Sequence, residues 1–309
     1  MNTYDVVVIG AGPAGLSAAL VLSRALRKVA VVDDGEPRNA PAAQMHGFLS
    51  RDGSAPTDLL TIGRAEVEGY GGELIGGRVT GVVPHEAEIG TGFRLTLADG
   101  SSLNSRQILV ATGLQDELPN IPGVRERWGR DVLHCPYCHG YEVRDQPIGV
   151  LGGNADSIQH AQLIRQWSPD VMLFPHADSV TAQQREQLAA RSIQVIDGLV
   201  SQMVVSEDRL NGVELVDARV IARTAVFVRP RFVPNIELVD ALKGAIDDHG
   251  WVVTDDVGRT SIRGVWVAGN AANARAQVVT AAGEGSASAI AMNAELVGED
   301  INRVIARTP

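Results

Sequence analysis

Tyr4-Asp-Val-Val-Val-Ile-Gly-Ala-Gly-Pro-Ala-Gly15 sets a β-branched strand, a glycine-rich turn and a helix start in direct succession. Helical patterning continues over Pro13–Arg27 and a second β-branched run over Lys28–Asp33, so the stretch predicts a βαβ unit. Its residues suit a dinucleotide. Gly10 permits the tight turn, Gly12 lets backbone N–H groups approach a pyrophosphate at the positive helix end, and Gly15 lets helix and strand pack closely, with Pro13 and Ala14 filling the first helical turn. Asp33, eighteen residues past Gly15, stands where a carboxylate accepts from a ribose hydroxyl. The turn alone does not separate FAD from NAD.

Further along, a helix is predicted over Thr57–Glu68. Arg78–Val83, Phe93–Leu97 and Ser105–Val110, separated by Gly90, Gly92 and Asp99-Gly100, then read as an antiparallel meander ending in a third core strand. Leu118-Pro-Asn-Ile-Pro-Gly123 breaks the pattern. A second βαβ unit follows, with a strand at Pro147–Leu151, a helix near Ser157–Trp167 and a strand at Val171–Phe174, echoing the first at a spacing of roughly 140 residues as a domain-scale duplication. Strands near Ile193–Ile196, Val200–Val205, Gly212–Leu215 and Ala225–Val228 complete it, and Arg229–Pro234 forms a return linker. Trp251–Val253 and Val265–Ala268 read as strands and Gln277–Leu296 as a long helix.

The expected fold class is α/β, with two Rossmann-like three-layer dinucleotide-binding domains. Residues 1–115 and 237–309 form the first, split by a pyridine-nucleotide-type insertion at 116–236. At 309 residues the chain is long enough for two cores. No apolar run approaches the ~18 residues of a membrane span. The N-terminus starts as a strand rather than a signal segment, which predicts a cytoplasmic protein. A net charge of −10 without a Lys/Arg cluster argues against nucleic acid as partner.

The only two cysteines lie in His134-Cys-Pro-Tyr-Cys-His-Gly140. Two cysteines this close, in a reducing compartment, read as redox-active or metal-binding. For exchange chemistry a nearby base must hold a thiolate at neutral pH, and His134 and His139 flank the pair. Other readings carry less weight. Cys-x-x-Cys-His is also the attachment signature of c-type haem, a zinc knuckle would crowd four ligands into six residues, and free cysteines are often inert core; no metal site is expected. His249 reads first as a turn residue, Asp247, Asp248, Asp255 and Asp256 as a solvated hairpin, and His46, Trp167 and His176 attract no functional assignment.

The last third selects the cofactor. Ile262–Asn270, an apolar strand ending in Gly269-Asn270 before a small-residue helix at Gln277–Gly285, is similar to the second FAD motif of flavoproteins with two dinucleotide domains; Asn270 replaces the usual Asp, keeping a hydrogen bond but losing a charge. Ala111-Thr112-Gly113 resembles the exit from the FAD domain in the same proteins. FAD is therefore the expected cofactor. The second glycine-rich turn, Gly152-Gly-Asn-Ala-Asp-Ser157, carries Asn154 at its second glycine position, and Phe174-Pro-His-Ala-Asp178 offers an acid where arginines would meet a 2′-phosphate. Both features weigh against tight NADP(H) binding.

Taken together, the Gly-x-Gly-Pro-Ala-Gly start, the Cys-x-x-Cys in the inserted domain and the late Ala-Gly-Asn strand make nearly the whole chain resemble a low-molecular-weight thioredoxin reductase. The resemblance implies a homodimer, non-covalent FAD and a redox disulfide facing the isoalloxazine ring. Cys138-His139-Gly140, in place of the reductases' Cys-Asp-Gly, is more similar to the dithiol oxidases that close the disulfides of gliotoxin and holomycin. That likeness implies that a small-molecule dithiol reduces Cys135–Cys138, FAD takes the electrons and O2 reoxidises the flavin to give hydrogen peroxide. Cys138 would then be the flavin-proximal cysteine and Cys135 the exchange cysteine, with Asn39, Gln277 and Val278 falling where the family contacts flavin. An NADPH-dependent reductase acting on thioredoxin or a thioredoxin-like protein is the alternative expectation. A non-catalytic flavin redox sensor is a remoter one.

Overall fold

A computed structural model of the chain describes residues 3–86 and 91–307. Gly90, one of the glycines read as a strand separator, lies outside them. In chain order the first elements are β1 (Thr3–Ile9), α1 (Pro13–Arg24), β2 (Val29–Asp33), α2 (Pro56–Gly69), β3 (Glu73–Gly76), β4 (Val79–Glu86), β5 (Thr91–Leu97), β6 (Ser102–Val110) and β7 (Leu114–Glu117). Then come β8 (Val132–Leu133), α3 (Pro136–His139), β9 (Ile148–Leu151), α4 (Ala155–Ile164), β10 (Val171–Phe174), α5 (Ala182–Ala189), β11 (Gln194–Val195), β12 (Val200–Ser206), β13 (Arg209–Leu215), β14 (Val220–Ala222) and β15 (Ala225–Val228). The chain closes with β16 (Arg231–Pro234), α6 (Glu237–Ala241), β17 (Val265–Val267) and α7 (Val278–Arg307).

These elements form two compact units: residues 1–40, 55–115 and 232–309 in one, and 41–54 and 116–231 in the other. The boundaries differ from the sequence reading in two places, because Pro41–Ser54 packs with the second unit and the return crossing falls at Arg231/Phe232.

In the first unit β3-β2-β1-β6 run parallel, and β6 also carries the antiparallel β5–β4 meander on its N-terminal half and β17 on its C-terminal half. Alternation along the strands divides the core between two faces. Val6, Val8, Leu109 and Trp266 bury against α1 and α7, whereas Val7, Ile9, Ile108, Val110 and Val267 bury against Val239 and the meander's Phe93 and Leu95. Register puts Val32, Ile9, Val110 and Val267 side by side, so the strands end at one level. Everything following them therefore meets along one carboxyl edge, the usual ligand edge of such a sheet.

The second unit repeats the plan in three layers. Its parallel sheet runs β11-β10-β9-β15-β8. One face buries Val150, Leu173 and Phe227 against α4 and α5, and the other buries Leu151, Phe174 and Val226 against the β12-β13-β14 sheet. Some sequence expectations need correction. Trp251–Val253 contributes only an isolated bridge, Val252 to Ile246, since Asp247 gathers the N–H groups of His249 and Trp251 into a turn. The last helix runs on to Arg307 rather than stopping at Leu296. Helices α3, α5 and α6 and strands β3, β7, β8 and β14 had no prediction; most are four residues or fewer, too short for a periodicity to show.

Candidate active site

The Gly10–Gly15 turn has the geometry that a pyrophosphate requires. Gly10 sits at φ +103°, and a Cβ there would lie 2.5 Å from the Ala111 carbonyl oxygen. Gly12 faces open space, and no side chain among the described residues caps α1, whose first position is Pro13. The helix's leading N–H groups thus lack a side-chain acceptor, which suits an anion. Gly15 is packing: its Cβ would stand 1.9 Å from the Gly10 oxygen. Asp33 shapes the turn from β2, accepting the Ala11 N–H at 2.8 Å on Oδ1 and Arg64 at 2.5 Å on Oδ2. Each carboxylate oxygen keeps lone-pair capacity for a hydroxyl.

The other predicted residues of this unit gather along the same edge. Ala111, Thr112 and Gly113 leave β6 half-buried. Thr112 and Asn235 clamp reciprocally: the Thr112 hydroxyl donates to the Asn235 carbonyl and the Asn235 amide to the Thr112 carbonyl, both at 2.8 Å. Gly269, at φ +69°, packs on Ala14, and its N–H donates to Glu284 on α7. Asn270 does not offer its amide outward. Its Nδ2 donates to the carbonyls of Asn273 and Ala276, and its Oδ1 accepts from Arg38 at 3.2 Å, so the substitution of Asn for Asp braces the loop from within. Asn39, next to Arg38, is half-buried, as are Gln277 and Val278 at the head of α7. Asn235 and Glu284 escaped the sequence reading. A signal existed for Glu284, the first charge in the small-residue run from Val278.

In the second unit the corresponding turn is closed. The Asn154 side chain is the α4 N-cap, accepting the Ser157 N–H at 2.9 Å. The Asp178 carboxylate accepts the N–H groups of both Gly153 and Asn154, at 2.8 and 3.1 Å. Around Gly153 the Asp178 and Pro175 side chains leave no room even for a Cβ, which would meet them at 2.8 and 3.0 Å. An internal carboxylate thus occupies two backbone donors of this turn. The sequence reading gave the obstructing role to Asn154 and an opposing charge to Asp178; in the structure Asn154 caps α4 while Asp178 takes the N–H groups of the turn.

Cys135 and Cys138 form a disulfide, with Cα atoms 5.2 Å apart. Cys135 leaves the end of β8 as the N-cap of α3, whose single turn carries Cys138, and both cysteines are half-buried. Gly140 is required here. A Cβ on it would strike the Pro136 carbonyl oxygen at 2.4 Å and the Trp167 ring at 2.9 Å. Trp167, given no functional assignment from the sequence, packs on this turn and stacks edge-on with exposed Tyr137 at 5.4 Å.

Each flanking histidine has its own surroundings. His134 Nδ1 lies 3.3 Å from the Val228 carbonyl oxygen; as donor there, a neutral ring leaves Nε2 as a proton acceptor. Burial pushes the His139 pKa down, with Glu142 opposing and His46 adding to the shift. Behind His134 lies His160, 5% exposed and 5.8 Å from it ring to ring. Burial, then the charges of His134 and Arg229, push its pKa down to about 3. His249 is exposed in its turn, and His176 accepts the Val200 N–H; neither joins a site.

The chain belongs to the pyridine nucleotide-disulphide oxidoreductase family, whose model matches residues 4–285. It is a thioredoxin reductase-like disulfide oxidoreductase, with the Cys135–Cys138 pair as its disulfide. Among solved structures it is similar to that of HlmI, with 55% identity and a TM-score of 0.95 over 98% of this chain and 95% of that one. The thioredoxin reductase sirT of Leptosphaeria maculans is 29% identical over 315 residues, covering 97% of this chain and 96% of that protein. A thioredoxin reductase of Streptomyces clavuligerus is 31% identical over 309 residues, covering 94% and 92%. No helix among the described residues is long and apolar enough to cross a membrane.

Proposed function

We propose that the chain is an FAD-dependent dithiol oxidase that closes the disulfide of a small-molecule dithiol, with O2 as final acceptor. The carrying observation is the Asp178 carboxylate on the Gly153 and Asn154 N–H groups, which takes up two of the donors an NADPH pyrophosphate would use and places a negative charge at that turn, so that the dithiol is the electron source in this reading. The open Gly12 turn, with Asp33 beside it, fits FAD. Gly10, Gly12, Pro13, Ala14, Gly15, Asp33, Asn39, Ala111, Thr112, Gly113, Gly269, Asn270, Gln277 and Val278 would surround it, Asn270 by shaping its loop. Bound FAD supplies a two-electron acceptor for the reduced cysteines and an outlet to O2, which leaves as hydrogen peroxide.

The protein's own part is thiol–disulfide exchange. A substrate thiolate attacks the Cys135 sulfur, the Cys135–Cys138 bond breaks, and Cys138 departs as a thiolate. The second substrate thiol then displaces Cys135 and closes the product disulfide. His139 and His134 take up the two protons released, His139 because burial leaves it neutral and able to accept. A second copy fits the exposed apolar stripe Ile290, Val297, Ile301 and Ile305 on α7.

Anaerobic mixing tests the proposal. A dithiol is expected to bleach the flavin band of the holoenzyme while NADPH leaves it unchanged, and Cys138→Ser is expected to abolish the dithiol response. Rapid bleaching by NADPH would instead establish the thioredoxin reductase alternative.

A further inference from the structure

Pro41–Ser54 forms a loop that packs with the second unit. It closes on itself through Met45 N–H to Ser54 O and Gly53 N–H to Met45 O, both 2.9 Å. Its start presses on Gly129, where a Cβ would come 2.9 Å from that of Pro41. Near its head stands His46, whose side chain is 19% exposed. Nδ1 lies 3.3 Å from Asp52 Oδ2, and Asp52 Oδ1 accepts the Gly47 N–H at 2.8 Å, which ties the ring to its own loop. On the other side Nε2 lies 3.4 Å from Glu142 Oε1, an ion-pair distance without a hydrogen bond, so the hold on Glu142 is one of charge and operates with the His46 ring protonated. Glu142 follows His139 by three residues, with Gly140 between them in the right-handed helical region, a spacing that brings both side chains to one side of the turn.

We propose that His46, pinned by Asp52, holds the Glu142 carboxylate beside His139 and so positions and polarises the imidazole that takes up a substrate proton and keeps Cys138 as its thiolate. The inference rests on the exchange reading of the Cys135–Cys138 pair given above. An unanchored glutamate on a surface turn would spread over many rotamers, and its field at His139 would be screened by water. One ring contact on the Asp52 side and one on the Glu142 side restrict it. Two groups act on His139 by charge: Glu142 favours its protonated form, and His46 opposes it. Anchoring and direct charge therefore predict opposite outcomes when His46 is removed. If His46 acts through Glu142, its loss makes His139 a poorer proton holder. If it acts only by its own charge, its loss makes His139 a better one.

The experiment measures the rate at which iodoacetamide alkylates Cys138 against pH in the anaerobically reduced holoenzyme, read by mass spectrometry, because the thiolate is the reactive form. Glu142→Gln is expected to move the midpoint of the rate up by about 0.5–1 pH unit, making alkylation about 3–10-fold slower below it. His46→Gln and Asp52→Asn are expected to move it the same way, and the double variant H46Q/E142Q no further than E142Q. A downward or absent shift in His46→Gln, with far-UV circular dichroism unchanged, overturns the proposal. Should neither Cys135 nor Cys138 be alkylated at any pH in the unmodified protein, the exchange reading itself falls, and the inference with it.

Discussion

His160 shows how one residue can control acid stability. Its ring is buried against Phe227 and beside His134, and burial outweighs the one opposing backbone contact at His134, so folding disfavours the imidazolium. The folded-state pKa of about 3 lies below the unfolded value near 6.5. Its contribution is therefore full above pH 6.5 and is lost as pH falls toward 3, at up to about 1.4 kcal/mol per pH unit. His160→Phe is expected to remove that slope: urea midpoints of the variant and the parent should diverge steadily between pH 6.5 and 4. Parallel curves would show that the ring is hydrated in solution. Nothing in the sequence marked His160, because a lone histidine in a helix looks the same whether it faces solvent or core. The Cys135–Cys138 pair, by contrast, was legible because the only two cysteines stand three residues apart, with His134 and His139 flanking them.

At the scale of elements, the site depends on how closely α1 and α7 approach. A Cβ on Gly285 would come 2.0 Å from the Ala14 carbonyl oxygen, within the turn that should receive the pyrophosphate. Gly285→Ala is expected to cost about 1–3 kcal/mol of stability and to lower the flavin content of the purified protein. Gly298, on the same helix with nothing within 4 Å, is the control: Gly298→Ala should raise the melting temperature, being worth up to about 1 kcal/mol in helix propensity. Equal effects at the two positions would contradict a contact-based cause. The first βαβ unit was legible to within a few residues, since strand alternation, Pro13 at the helix start and the glycines all agree. The closure of the second turn was only partly so. Asp178 was recognised as an acid in an unfavourable place, but its bonds to Gly153 and Asn154 cross 24–25 residues and exist only once β10 lies beside β9.

The whole molecule presents two nucleotide-type units of which only one retains a free anion-binding turn, which is how a reductase frame serves an oxidase in our proposal. Among the described residues an exposed apolar stripe runs along the C-terminal part of α7. Ile301→Glu is expected to convert a dimer to a monomer in sedimentation velocity, and unchanged mass would place the dimer contact elsewhere. The stripe's extent was not foreseen, because the helix was expected to end at Leu296 and runs on to Arg307.

Local chemistry alone determined the α/β class, the glycine-rich turn and the redox pair, because each is written in neighbouring residues whose spacing the backbone imposes. Tertiary structure alone decided that Asp178 holds the second turn, that Asn270 turns its amide inward and that His46 and Glu142 meet near the redox motif. Those contacts join segments far apart in the chain, and which polar groups become partners is settled by packing, when burial makes an unsatisfied donor costly.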